Sequence, residues 1–177
     1  MKTNKKVDIK IYIKNKTIVK DESMKYLVSN YIEKAKHTLL LASALEGIIN
    51  DKKSKEAINL PGDYNPDDWI IIISYYAMYS AATALLAKAG YKSDSHKATI
   101  TALEHFFVKK DLLDKDVLEL LKNGMLTMEM IGELAQARED REKAQYRVTA
   151  SINRKLAETT LKNAREFVLS SEIILRD

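Results

Sequence analysis

Cysteine is absent from the 177 residues. That excludes a disulfide framework, thiolate metal ligands and a cysteine nucleophile, and it suits a reducing cytoplasm. Proline occurs twice and glycine five times, so few positions force a break and long helices are expected. The histidines, His37, His96 and His105, stand apart from one another. None has a second histidine at i+4 or a His-Glu-x-x-His setting, which leaves a metal site without ligands. No Gly-rich phosphate loop, Gly-x-Ser-x-Gly elbow or dinucleotide fingerprint occurs, and no cofactor is expected. The basic N-terminus is not followed by an apolar segment, so no secretory signal is read there. Neither sign of charge dominates. The net charge is +4 and the pI about 9.0, compatible with a nucleic-acid partner but short of the clustered charge that would demonstrate one.

What is present in abundance is one uncharged run, Ile70 to Ala87. Its flanks are helix punctuation. Asn65 can cap free amides, Pro66 suits a first helical position, and Asp67 and Asp68 favour the positive end of the helix dipole. Gly90 suits a left-handed stop. The run is apolar on every side, so the helix must be surrounded. Its length approaches the roughly 20 residues of a membrane span. Ser74, Tyr75, Tyr76, Tyr79, Ser80 and Thr83 make a poor lipid-facing surface, however. Ser74, Ala77, Ala81 and Ala84 share a line along which another helix can approach closely. The expectation is the central helix of a soluble bundle, with no membrane partner.

The remaining chain supplies the companions. Residues 1–20 form a basic arm in which Val7 to Ile13 alternates with the strand period and Thr17-Ile18-Val19 could return. A short hairpin or a flexible arm is expected, since an isolated hairpin is marginal. Residues 21–177 read as one domain. Its first helix starts near Asp21 to Ser23 and ends around Asn50-Asp51. A polar loop over 52–63 has room for a turn of helix at Ser54 to Ile58, and 91–95 reads as a loop. Ser95 can cap a shorter helix that ends at Lys109-Lys110-Asp111. The next helix starts near Asp114 and carries Gly124 and Gly132, either of which could mark close packing or a bend. Arg147 to Ala150 reads as a break, and a last helix follows from Ser151 to about Ile174. The fold class is all-α, an up-and-down bundle of four to five helices.

Candidate chemistry gathers at the end of the second-last helix. Arg138 lies almost in line with Ile131 on the apolar stripe, and Arg141 follows Leu134. Guanidinium groups at the end of a core-facing stripe need partners. They either pair with Glu133, Glu142 or a neighbour and emerge into water, or they face a phosphate. Tyr146 lies one turn further on. His96 is expected to face solvent or cap its helix, and His105 to be a half-buried structural residue. Tyr75, Tyr76 and Tyr79 with Trp69 could stack on bases. Their helical spacing inside an apolar run points instead to core and interface.

The stretch Ser74-Tyr75-Tyr76-Ala77-Met78-Tyr79-Ser80-Ala81-Ala82-Thr83-Ala84-Leu85-Leu86 resembles the HEPN family of prokaryotic α-helical domains. Tyr31-Ile32-Glu33-Lys34-Ala35, Gly90-Tyr91 with Ser95-His96, and Arg141 to Tyr146 follow in the family's order, so the likeness covers about residues 22–175. The resemblance implies a helical bundle that forms a homodimer. Many members are metal-independent ribonucleases, often toxins paired with a minimal nucleotidyltransferase antitoxin, with an Arg-x4–6-His site shared across the dimer. Here Arg138 or Arg141 matches the arginine, but no histidine follows. The positions are Lys143, Ala144 and Gln145 after Arg138, and Tyr146 after Arg141. A tyrosine of pKa near 10 is a poor general base at neutral pH. The leading expectation is a homodimer that binds RNA or nucleotide through Arg138, Arg141 and Tyr146 in a toxin–antitoxin or defence-type module, its nuclease site degenerate. The alternatives are a non-catalytic module that partners a minimal nucleotidyltransferase, and a residual metal-independent ribonuclease.

Overall fold

The computed structural model describes residues 9–61, 64–139 and 146–176; of residues 133–139 and 146–153 it describes the backbone alone. In chain order the helices are α1 (Ile9–Lys14), α2 (Val28–Asn50), α3 (Lys52–Ala57), α4 (Asp67–Lys88), α5 (His96–Phe106), α6 (Lys115–Glu139) and α7 (Tyr146–Arg176). Two short strands, β1 (Ile18–Lys20) and β2 (Tyr91–Ser93), pair antiparallel. The chain is all-α, with four long helices in the body.

α4 is the axis. Its N-terminal turn packs Ile70 and Ile71 with Ala42 of α2, Ile131 of α6 and Leu161 of α7. Further along, Tyr75, Met78 and Leu85 meet Ala35 of α2, Leu118, Leu121 and Met125 of α6, and Phe167 of α7. Along α4 the contacts therefore run backwards on α2 and α6 and forwards on α7, giving the up-down-up-down order. α4 is long and apolar enough to cross a membrane, and most of it is buried inside this bundle. Ser74, Ala77, Ala81 and Ala84 are all buried, as their small size along one line predicts. The start behaves as read: Asn65 Oδ1 accepts from the Asp67 amide at 3.0 Å. So does the stop, with Gly90 at φ +78°. Gly124 marks close packing, because a Cβ there would run into Met78 Cε, whereas Gly132 faces open space.

Caps fix the other helices. Asp21 accepts from the Ser23 amide at 3.1 Å and opens a 3-10 turn that leads into α2. The Ser95 side chain accepts from Ala98 at 3.4 Å and opens α5. Asp114 Oδ1 accepts from the Asp116 amide at 2.7 Å at the start of α6.

Three local expectations are corrected. The alternating segment is not a strand over its described part: Ile9–Lys14 is α1. Ile9 is buried and Tyr12 packs beside it against Leu86, Ala98 and Ala102, while Ile11 and Ile13 are exposed. One helical face thus outcompetes the strand period. Ile18–Lys20 is extended as expected, but its partner is Tyr91–Ser93, which is a strand and not a loop. Residues 147–150 are not a break either, for they lie inside α7. Val148 and Thr149 lower helix propensity by only tenths of a kcal/mol.

Candidate functional site

The C-terminal ends of α2 and α6 and the N-terminal ends of α4 and α7 share one pole of the bundle. The clearest polar structure there is built on Asp67. Its side chain is 3% exposed, and burying a carboxylate is costly unless it is paired. Arg154 of α7 supplies the partner, Nη1 to Oδ1 at 3.1 Å. The same guanidinium donates through Nη2 to Asn50 Oδ1 at 2.7 Å and through Nε to Glu158 Oε1 at 2.9 Å. One side chain therefore ties α2, α4 and α7 together. Nothing in the sequence pairs residues so distant: Asp67 reads there only as a first-turn carboxylate, and Arg154 carries no signal of its own.

Past this clasp, α6 and α7 run on. Ile131 is level with the first turns of α4. Residues 132–139 of α6 continue for about 12 Å, and residues 146–156 of α7 reach back about 16 Å from Ala157, at 1.5 Å per residue. α4 has only residues 67–69 before Ile70. The backbone of both helices thus continues past the first turn of α4, as α2 does on its way to Asn50. Arg138 belongs to the last turn of α6, and Tyr146 is the first residue of α7. Their side chains, and Arg141 entirely, lie outside the described residues. Among the described residues no group of His, Asp and Glu could hold a metal ion.

The second constellation lies midway along α4. Tyr75, fully buried, makes a hydrogen bond of 2.8 Å with Nδ1 of His96, the first residue of α5. The imidazole packs against Tyr79 with centroids 4.1 Å apart and stands edge-on to Tyr76 at 6.3 Å. His96 is therefore half-buried among aromatic rings, not solvent-facing or capping as its position at a helix start suggested. The reason is the turn at Gly90 and β2, which brings the start of α5 back against α4. His105 is half-buried with its ring edge-on to Phe106, as expected. Tyr75 and Tyr79 are core residues as their spacing implied, but Trp69 and Tyr76 are not. They are 57% and 46% exposed.

Burial pushes the Tyr75 phenol above its usual range, with Tyr79, Tyr76 and Glu129 adding to the shift. Burial also holds His96 below the ordinary imidazole value, against a smaller opposing effect of Glu129. With the phenol protonated and the imidazole neutral, the pair has two tautomeric forms: Tyr75 Oη–H donates to Nδ1 with the ring proton on Nε2, or Nδ1–H donates to the phenol oxygen with the lone pair on Nε2. The depressed pKa also has a sign for stability. Below about pH 6.5 the unfolded chain takes up a proton that the folded chain refuses. Stability should fall as the pH drops through 6.5 toward the folded value. Urea titrations at pH 7.5 and 5.5 should show this fall in wild type and a smaller one in His96→Gln. Equal falls in both would remove His96 as the cause.

Residues 52–174 match the family model of the HEPN domain, more than half of the chain. No curated protein and no solved structure matches it.

Proposed function

Because the chain belongs to the HEPN domain family, we propose that it binds RNA or a nucleotide as a homodimer, through a cleft lined by Arg138, Arg141 and Tyr146. The observation that supports this reading is that α6 ends and α7 begins past the first turn of α4, at the pole where Arg154 holds α7 to α2 and α4. Planar guanidinium groups on such an edge suit phosphate oxygens. No histidine follows either arginine at the family's spacing, so nuclease chemistry is weak or lost. The setting is a toxin–antitoxin or defence-type module.

Salt dependence tests the reading. Arg138→Ala should weaken binding of single-stranded RNA and flatten the slope of log K against log salt by about 0.7 for the phosphate it releases. Unchanged affinity and slope would rule out phosphate contact by Arg138. Residual cleavage, if detected, should vanish in Arg141→Ala and fall in Tyr146→Phe. A second reading, docking of a minimal nucleotidyltransferase, is favoured by a different surface. Leu40 of α2 and Leu169 of α7 are exposed aliphatic side chains that line one groove between the two helices, with ion pairs of Lys36 to Glu172 and Arg165 to Glu46 beside them. Aliphatic surface of this kind suits a protein partner.

A further inference from the structure

A cleft opens at the end of the bundle where α4, α5 and α7 stop. Its volume is about 540 Å³, within the range of small-molecule sites. It lies where two parts of the core meet without filling the space between them. Phe107 and Ile174 pack in the main cluster, Tyr91 in the small cluster under α1, and Phe106 against both. Tyr91 and Phe106 stack with centroids 4.5 Å apart and form one wall. Leu112 lines the cleft with its side chain exposed. The charged groups among the lining residues are Lys88 and Lys110, and neither has a carboxylate partner among the described residues. Lys88 is half-buried. Its Nζ donates to Ile174 O at 2.8 Å and to Leu175 O at 3.4 Å. An ammonium carries three N–H donors. Two serve the last turn of α7, and the third is left over on a side chain that lines the cleft.

We propose that this cleft binds a small amphipathic carboxylate, its apolar body against the rings and its head group on Lys88 and Lys110. Charge selects the head group. A cationic ligand is repelled by both lysines. A neutral one forgoes the charge-assisted bond that a carboxylate makes to an ammonium. Lining selects the body. Six of the eight side chains facing the space are carbon-rich, and a compact, fully polar anion leaves them uncovered. The neighbouring acids do not cancel the lysines. Glu22, whose carboxylate packs against Gly90, is held by Lys20 and Lys25. Asp111 is exposed to water and does not line the cleft. The site stands about 30 Å along α4 from the Arg154–Asp67 clasp, at 1.5 Å per residue, and does not rest on the RNA-binding reading.

Isothermal titration of the full chain with decanoate should show saturable one-to-one binding. Decanol should bind about 10- to 100-fold more weakly, the worth of a hydrogen bond to a charged group. Decylamine and acetate should not bind, the first for its charge and the second for its missing body. Lys88→Met should bring decanoate down to the affinity of decanol and leave decanol unchanged, a loss of discrimination that a merely structural role of Lys88 does not produce. Leu112→Trp should weaken both ligands by filling the cleft. Leu112 and Lys110 are exposed, so Leu112→Trp and Lys110→Ala should fold as wild type and decide the matter if Lys88→Met does not. Lys110→Ala should then weaken decanoate and spare decanol. Equal affinities for decanoate, decanol and decylamine overturn the proposal. Decanoate binding that is unchanged in Leu112→Trp overturns it too, as does a wild-type chain that takes up no decanoate. Heat that follows protein concentration instead of ligand, with a matching change in sedimentation, gives the cleft to a second copy and also overturns it.

Discussion

Phe167→Ala should lower the unfolding free energy by about 3–5 kcal/mol, the usual range for emptying a fully buried aromatic site. Phe167 has no solvent exposure and packs in the cluster that holds α7 to α4 and α6. Its immediate companions Tyr75, Met78 and Leu121 are themselves enclosed, so the walls of the vacated space have little freedom to collapse. A domain of this size has roughly 5–15 kcal/mol of stability in total, so the variant should lose a large fraction of it. Urea unfolding should show a lower midpoint with an unchanged slope. A loss below about 1 kcal/mol would mean that α7 is not seated in the core as described.

Arg154→Ala should cost about 2–3 kcal/mol. Stripping the partner from a buried ion pair typically costs 3–5 kcal/mol, because the remaining charge stays desolvated. The lower figure follows from two features. The Arg154 side chain is 25% exposed, which admits water to the gap. Asp67 also sits at the N-terminus of α4, where the helix dipole favours its charge. Asp67→Asn should cost less, about 1 kcal/mol, since Arg154 keeps Glu158 and Asn50. The double variant should be no less stable than Arg154→Ala alone, as no unpaired carboxylate remains. A double-mutant cycle in urea reads the coupling directly. Strict additivity of the two substitutions would show that the 3.1 Å contact carries no stability.

Much of the architecture could be read from local chemistry. The boundaries of α4 follow from Asn65, the acidic first turn and Gly90, because caps and stops act within a few residues. Its enclosure follows from the uncharged run, which no surface position tolerates. Ser95 and Asp114 announced α5 and α6 in the same way. What could not be read depends on contacts between distant parts of the chain. β1 takes its partner from beyond α4, and no pattern in either segment names the other. Tyr75 and His96 meet because the chain doubles back after Gly90. Asp67 and Arg154 meet because α4 and α7 lie side by side. Val7 to Ile13 misled for a related reason. Its alternation fits a strand, yet the groove beside Leu86 and Ala102 selects Ile9 and Tyr12 at helical spacing. Arg138, Arg141 and Tyr146 were singled out by stripe and motif, and RNA binding by their variants is the measurement that bears on them.

The ribbon joining Ile18–Lys20 to Tyr91–Ser93 has a kinetic corollary. Its two halves are separated along the polypeptide by all of α2, α3 and α4, and closing so long an excursion carries an entropic toll before any bond is gained. The seam should therefore form only after those helices have assembled. It closes the end of the bundle where α4 stops at Gly90, and Ile18 is buried there with Leu86, Ala98 and Ala102.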